Sequence, residues 1–248
     1  MKKLTSFIAG LLLAVSICTA QEKSSEPKTV KIDENFYCID DSSRQFFFIG
    51  TEKVLLVDTG FGRVDFTARI REFSNLPIEV VITHGHGDHT GGLKQFGECF
   101  ANERDFSMIP EEITKKPLKD GDKIDIGNFV FEIIEIPGHT EGSIVLLEKN
   151  KKFLIAGDSV QEGPIFMFGD VSKFDTYIAS MKKLNKYKKN IKTIYSAHNT
   201  LSYGAEYIKY CIEDAKLFKA GKIIPQESES MGRTRKTYKG KHVSFFAD

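Results

Sequence analysis

The spacing of apolar positions changes several times along the chain, and each change marks an element. Between residues 30 and 58 apolar side chains gather in short runs, among them Gln45-Phe46-Phe47-Phe48-Ile49 and Val54-Leu55-Leu56-Val57, separated by Asp40-Asp41-Ser42-Ser43 and Gly50-Thr51-Glu52. Short aromatic and branched runs broken by turn formers predict antiparallel strands with tight turns. Phe66, Ile70 and Phe73 follow at helical spacing, and that helix leads into Ile78-Glu79-Val80-Val81-Ile82, which reads as a buried strand. Further strands are predicted at 128–136, 144–147 and 153–155. Phe174, Tyr177, Ile178, Met181 and Leu184 place an apolar stripe on a helix over 173–187; a strand then ends at Tyr195, and 203–218 reads as a last helix. Strands followed by a helix, an order that occurs twice, fit two packed sheets with helices outside.

The first twenty residues break this pattern. Lys2 and Lys3 precede the apolar run from Phe7 to Val15, and Cys18-Thr19-Ala20 precedes a polar stretch from Gln21. A positive start, a short apolar centre and small residues at the end predict a secretory signal peptide over 1–20 and an exported protein, periplasmic or secreted. A lipid anchor at Cys18 is the competing reading, weakened by the bulky Ile17 beside it. The run is shorter than the ~20 residues that cross a bilayer, so no transmembrane segment is expected in the mature chain. Residues 21–30 read as a mobile leader, and 21–248 as one domain.

At 248 residues, 41% hydrophobic and 28% charged, the chain has the apolar content for a sizeable core, which excludes disorder as its main state. Removing residues 1–20 takes away two lysines and no acids, leaving a net charge of −1. That balance gives no global attraction to nucleic acid or anionic membrane, so a small molecule is the expected partner. The locally basic stretch 233–241 reads as a solvated tail, and His242 lies in that tail just after it. Cys38, Cys99 and Cys211 are too few and too irregularly spaced for a disulfide framework.

Chemistry concentrates in Thr83-His84-Gly85-His86-Gly87-Asp88-His89-Thr90, which holds three of the six histidines and a carboxylate directly after a predicted strand. Imidazole nitrogen and carboxylate oxygen are ligands for Zn²⁺ and similar divalent ions. Gly85 and Gly87 are expected to permit unusual backbone angles, so that His84 and His86 can aim at one centre while Asp88 and His89 aim at another. A set of surface histidines is the bland alternative.

This segment resembles the His-x-His-x-Asp-His signature of the metallo-β-lactamase-fold hydrolases, and four further motifs follow the family's order over roughly residues 45 to 200. They are Val54-Leu55-Leu56-Val57-Asp58-Thr59-Gly60, Pro137-Gly138-His139-Thr140-Glu141-Gly142-Ser143, Ala156-Gly157-Asp158-Ser159 and Ser196-Ala197-His198-Asn199. The resemblance implies an α+β fold, a four-layer αβ/βα sandwich. It also implies His84, His86 and His139 on a first metal ion, Asp88, His89 and His198 on a second, Asp158 bridging the two, and Asp58 orienting a ligand imidazole. The family's last motif usually reads Gly-His-Gly, so Ala197-His198-Asn199 departs from it and makes His198 the weakest assignment.

What the resemblance implies for function is a metallo-hydrolase with two divalent ions, zinc expected and iron or manganese the alternatives. A hydroxide shared by the ions would attack an ester, thioester or lactone, with Asp88 or Asp158 moving its proton. The motif around His139 and the Asp at 158 are similar to the glyoxalase II-like and lactonase branches. A secreted β-lactamase and a mono-iron persulfide dioxygenase are the competing enzymes; a nuclease and a non-catalytic metal binder are more remote. The apolar group Ile165-Phe166-Met167-Phe168 is a candidate substrate wall, with plain core packing as its alternative.

Overall fold

Why the early apolar runs pair as they do is clear in the computed structural model, which describes residues 26–167, 173–230 and 233–247. Strands β1 (Lys28–Asp33), β2 (Phe36–Asp40), β3 (Gln45–Ile49), β4 (Val54–Val57), β5 (Ile78–Val81), β6 (Glu98–Ala101) and β7 (Thr114–Pro117) form a seven-stranded sheet in sequence order. Its first four strands are antiparallel neighbours; from β4 onward the pairing is parallel. A six-stranded sheet contains β8 (Lys123–Asp125), β9 (Val130–Glu135), β10 (Ile144–Glu148), β11 (Phe153–Ile155), β13 (Thr193–Tyr195) and β14 (Ser202–Gly204), in the order β14-β13-β11-β10-β9-β8. A smaller sheet, ordered β12-β17-β16-β15, joins β12 (Ile165–Phe166) to β15 (Pro225–Ser230), β16 (Arg233–Lys239) and β17 (Ser244–Ala247).

The unbroken apolar runs follow from burial on both faces. In β4, Leu55 and Val57 enter the core between the two large sheets, whereas Val54 and Leu56 face the opposite side, toward helix α1 (Phe66–Arg71). In β10, Ile144 and Leu146 take the central core; Val145 and Leu147 pack with helices α3 (Lys173–Asn185) and α4 (Tyr207–Lys219). The result is the expected four-layer αβ/βα sandwich. Its centre is aromatic: Phe36 stacks on Phe48 at 4.4 Å and on Phe153 at 5.2 Å between ring centroids. Each such pair adds about 0.5–1.5 kcal/mol beyond the burial of its area.

The structure revises several expectations. Residues 233–241 are not a solvated tail: 233–239 form β16, paired on one side with β15 and on the other with β17, whose Phe245 and Phe246 are buried. His242 is held as well, its ring stacked on Tyr210 at 3.8 Å. Residues 28–30 of the expected leader belong to β1. Tyr203 sits in β14 opposite Ile194, so α4 starts only at Tyr207, and Phe73 lies just beyond α1, packed on Tyr37. Ile165 and Met167 are core residues, and only Phe166 of the described part of that group faces a cavity. Phe168, the 1–20 segment and Cys18 lie outside the described residues. Among the described residues no helix is long and apolar enough to cross a membrane.

Candidate metal centre

Every metal-type residue expected from the sequence sits in a loop leaving a strand, and these loops meet at one edge of the sandwich. After β5 the chain turns into the one-turn helix α2 (Gly87–Thr90), capped by His86, whose carbonyl accepts the His89 and Thr90 amides at 2.9 and 3.1 Å. The turn divides the loop's side chains between two groups. His84 and His86 meet His139 from the β9–β10 loop, while Asp88 and His89 meet Asp158, which follows β11, and His198, which follows β13. Within each group the ligand-type atoms lie within 4.8 Å of one another.

The ring protons fix which nitrogens face inward. His139 Nδ1 donates to the Phe166 carbonyl at 2.7 Å, and His198 Nδ1 to the Ser42 carbonyl at 3.0 Å. His89 Nδ1 donates to Asp58 Oδ2 at 2.8 Å; the Thr83 hydroxyl donates to the same carboxylate oxygen and so accepts from His84 Nδ1 at 3.2 Å. Each imidazole therefore turns Nε2 toward the site. His84 Nε2 lies 3.1 Å from His139 Nε2, so two unprotonated nitrogens meet with lone pair facing lone pair, and His86 Nδ1 lies 3.1 Å from the same His84 nitrogen. Such an arrangement is repulsive unless a cation, or a shared proton, stands between the nitrogens.

Asp158 stands between the two groups. Its Oδ2 lies 3.6 Å from His139 Nε2 and 3.4 Å from His198 Nε2, and its Oδ1 is 3.4 Å from His89 Nε2. His89 Nε2 and Asp158 Oδ1 are buried atoms without a hydrogen-bond partner. Buried polar atoms are rarely left so, and two orphans aimed at one point beside imidazole and carboxylate donors fit a divalent cation. The residues present therefore suit the metal that the fold implies.

Electrostatics differ between the groups. Burial pushes His84 well down, helped by the His89 charge, and pushes His139 down to about 4; it also lowers His86. For His89 burial acts in the same direction, but the Asp58 and Asp158 charges outweigh it and hold the ring well above its ordinary range. In His198 burial is likewise overcome, by hydrogen bonds to Asp158 and Asp88, and the ring rises to about 9. Burial alone would raise Asp158 and Asp88; His89 and His198 reverse that, holding Asp158 well below the usual carboxylate range and lowering Asp88.

Two backbone details correct the expectations. Neither Gly85 nor Gly87 adopts a positive φ; Gly85 is required because a Cβ there would come within 2.5 Å of Met108 Cβ. Asn199, which departs from the family's usual glycine, has φ 59°, and Asn is among the residues that tolerate this left-handed region best. The departure at 197–199 thus leaves His198 in place.

Asp105 has no precursor in the motif reading. Buried to 2% exposure, its carboxylate accepts the Gly85 amide at 2.8 Å, the Gly142 amide at 2.7 Å and the Thr140 hydroxyl at 2.7 Å. It fastens the His84-Gly85-His86 loop to the His139 loop. A lone Asp in Asn102-Glu103-Arg104-Asp105 carries no signal of that role, because both partners are distant in sequence. The thiols stay out of the chemistry: burial pushes Cys38 and Cys211 up to about 12 and Cys99 up to about 11, so all three remain protonated at neutral pH.

A cavity of about 600 Å³ opens over His86, Asp88, Asp158 and His198. With this fold and this donor set the chain belongs to the metallo-beta-lactamase superfamily, whose family model matches residues 40–103 and 100–198. Among relatives, the acyl-coenzyme A thioesterase MBLAC2 of Homo sapiens is 25% identical over 197 residues, covering 62% of this chain and 71% of its own length. The hydroxyacylglutathione hydrolase GloC of Haemophilus influenzae is 30% identical over 154 residues, covering 51% of this chain and 71% of its own. Among solved structures, a metallo-beta-lactamase from Pontibacter korlensis superposes with a TM-score of 0.66 at 16% identity, over 77% of this chain and 99% of that one. At that identity the likeness concerns the fold.

Proposed function

We propose that the protein is a hydrolase of small thioesters, esters or lactones that works with two divalent cations, zinc the expected pair, held by His84, His86 and His139 on one side and Asp88, His89 and His198 on the other, with Asp158 shared. The observation that carries this reading is the meeting of the unprotonated His84 and His139 nitrogens, with orphaned buried atoms beside them, beneath an open cavity. Bound there, the cations supply a water that ionises near neutral pH and polarise the substrate carbonyl. Asp88 borders the cavity, so its carboxylate is placed to take the proton of the attacking water and return it to the leaving group. Asp158 holds both halves of the site in register, and Asp58 fixes the His89 tautomer through the Nδ1 hydrogen bond. The thioesterase and hydroxyacylglutathione hydrolase relatives support thioesters as the first class to try.

The test is turnover of a thioester, a lactone, an ester and nitrocefin by protein whose metal content has been quantified. Faster thioester, ester or lactone cleavage with about two zinc per chain supports the proposal. Nitrocefin as the best substrate would make the protein a β-lactamase, and one iron per chain with oxygen uptake on a persulfide would make it a dioxygenase. Export of the chain through its 1–20 segment is part of the same proposal, and the N-terminal sequence of the mature protein checks it.

A further inference from the structure

Of the two rings grouped with Asp88 and Asp158, the His89 side chain is wholly buried, whereas that of His198 is 24% exposed. Packing alone therefore does not fix the second ring, and hydrogen bonds must. They come from the turn between β2 and β3. The Ser42 carbonyl accepts from His198 Nδ1, and Arg44 holds the chain on either side of that residue: its backbone amide donates to the Ala197 carbonyl at 2.8 Å, and its Nη2 to the Asn199 carbonyl at 2.7 Å. The same turn reaches the other loop of the group, because the buried Ser43 donates from Oγ to the Asp88 carbonyl at 2.6 Å. His198 Nε2 and Asp88 Oδ2 are 3.1 Å apart but belong to residues 110 positions apart in the chain, and residues 42–44 give both loops a common support.

The guanidinium is itself fixed. Its Nε donates to Asp40 Oδ1 at 2.8 Å, the side chain is only 15% exposed, and Nη1 is buried with no hydrogen-bond partner among the described residues. An unpaired, buried N–H on a charged group costs free energy, so the side chain stays beside Asn199 against its own hydration. Asn199 stands where the family's motif usually has glycine and takes a left-handed φ of 59°, so a grip on its carbonyl sets the direction in which the chain leaves His198. Its side chain ties the loop to the shared carboxylate: Asn199 Nδ2 donates to Gln161 Oε1 at 3.3 Å, and Gln161 Nε2 to the Asp158 carbonyl at 3.3 Å. We propose that Arg44 is a positioning residue for the second cation, clasping the backbone on both sides of His198 so that the ring keeps Nε2 against Asp88 and Asp158. This rests on the two-cation reading above and deepens it.

The experiment uses the full mature chain and the variants R44M, R44K and D40N, with melting temperature measured for each. Two readouts serve: stepwise zinc titration against a competing chelator, and amide hydrogen exchange of the metal-free protein. In R44M one of the two zinc affinities should fall about 10- to 100-fold while the other stays within about threefold, the loss expected when the support behind a ligand is removed. Removing a positive charge would by itself raise affinity for a cation, so a fall reports lost positioning. In the same variant without metal, amides of 196–200 should exchange about tenfold faster while those of 84–86 keep their rates. R44K keeps the charge and loses the fork, and should lie in between. D40N breaks the ion pair, leaves the Asn199 contact and should keep both zinc affinities. Equal losses at both zinc steps with faster exchange throughout would make Arg44 a packing residue and overturn the proposal, as would an unchanged R44M or a D40N loss as large as that of R44M. Two zinc steps with no turnover of any substrate would sink the hydrolase reading alone. One ion per wild-type chain would sink the two-cation reading, and exchange at 196–200 in metal-free R44M would still decide the clasp, faster rates supporting it and unchanged rates ending it.

Discussion

Two clusters of ligand-type atoms, each less than 5 Å across, stand side by side and differ in how charge is distributed within them. The group of His84, His86 and His139 is a set of neutral imidazoles, each pushed down by burial. The group of Asp88, His89, Asp158 and His198 is zwitterionic before any cation arrives, because its carboxylates hold protons on both of its rings. The difference teaches that similar ligand atoms can be prepared in two ways. The first group is open to a cation at neutral pH; the second must shed protons to receive one.

The largest break in this comparison should come from Asp158→Ala, since that side chain belongs to both groups. Metal content should fall in both, and turnover should drop by about 10³-fold or more, the loss of several kcal/mol of charge stabilisation. Mass spectrometry under native conditions and steady-state rates check it; full activity would remove Asp158 from the site. Next come two variants that should separate the groups. Asp58→Asn touches His89 and should weaken the mixed group about 10- to 100-fold, whereas Asp105→Asn loosens the His84–His86 and His139 loops and should weaken the imidazole group by a similar factor. Stepwise zinc titration against a competing chelator reads each, and equal losses in both groups from either variant would contradict the division.

Smaller effects follow from protons. Zinc binding at pH 7, followed by calorimetry in buffers of different ionisation enthalpy, should release about two protons for the mixed group and close to none for the other. The mixed group should also bind more tightly as pH rises toward about 9, where His198 gives up its proton. Stability of the metal-free chain runs the other way. The folded protein holds the His198 proton more tightly than the unfolded one, so this contribution is complete below pH 6.5 and is lost as pH rises through about 9. Melting curves of chelated protein across that range measure it, and a flat profile would count against the His198 contacts.

Much of the site was legible because its residues lie in short motifs directly after apolar strands, where local spacing already says which side chains share a turn. The division of 84–89 between two groups follows from the His86 cap and α2, a single turn. Asp105 was invisible for the opposite reason: its partners at Gly85 and Gly142 lie 20 and 37 residues away, and nothing local marks the contact. Residues 233–239 were misread because Arg-Thr-Arg-Lys-Thr-Tyr-Lys lacks an apolar alternation. The apolar side chains that bury that sheet come from Phe245 and Phe246 of the neighbouring strand. A strand made by its partner's hydrophobicity leaves no pattern of its own.

One carboxylate clamping two loops from beneath has a practical meaning. Asp105 holds the first three imidazoles together with backbone amides and a hydroxyl, and no cation takes part in that grip. That grip predicts a pair of loops that keeps its shape in chelated protein, so that stripping and refilling the site would leave the chain folded throughout.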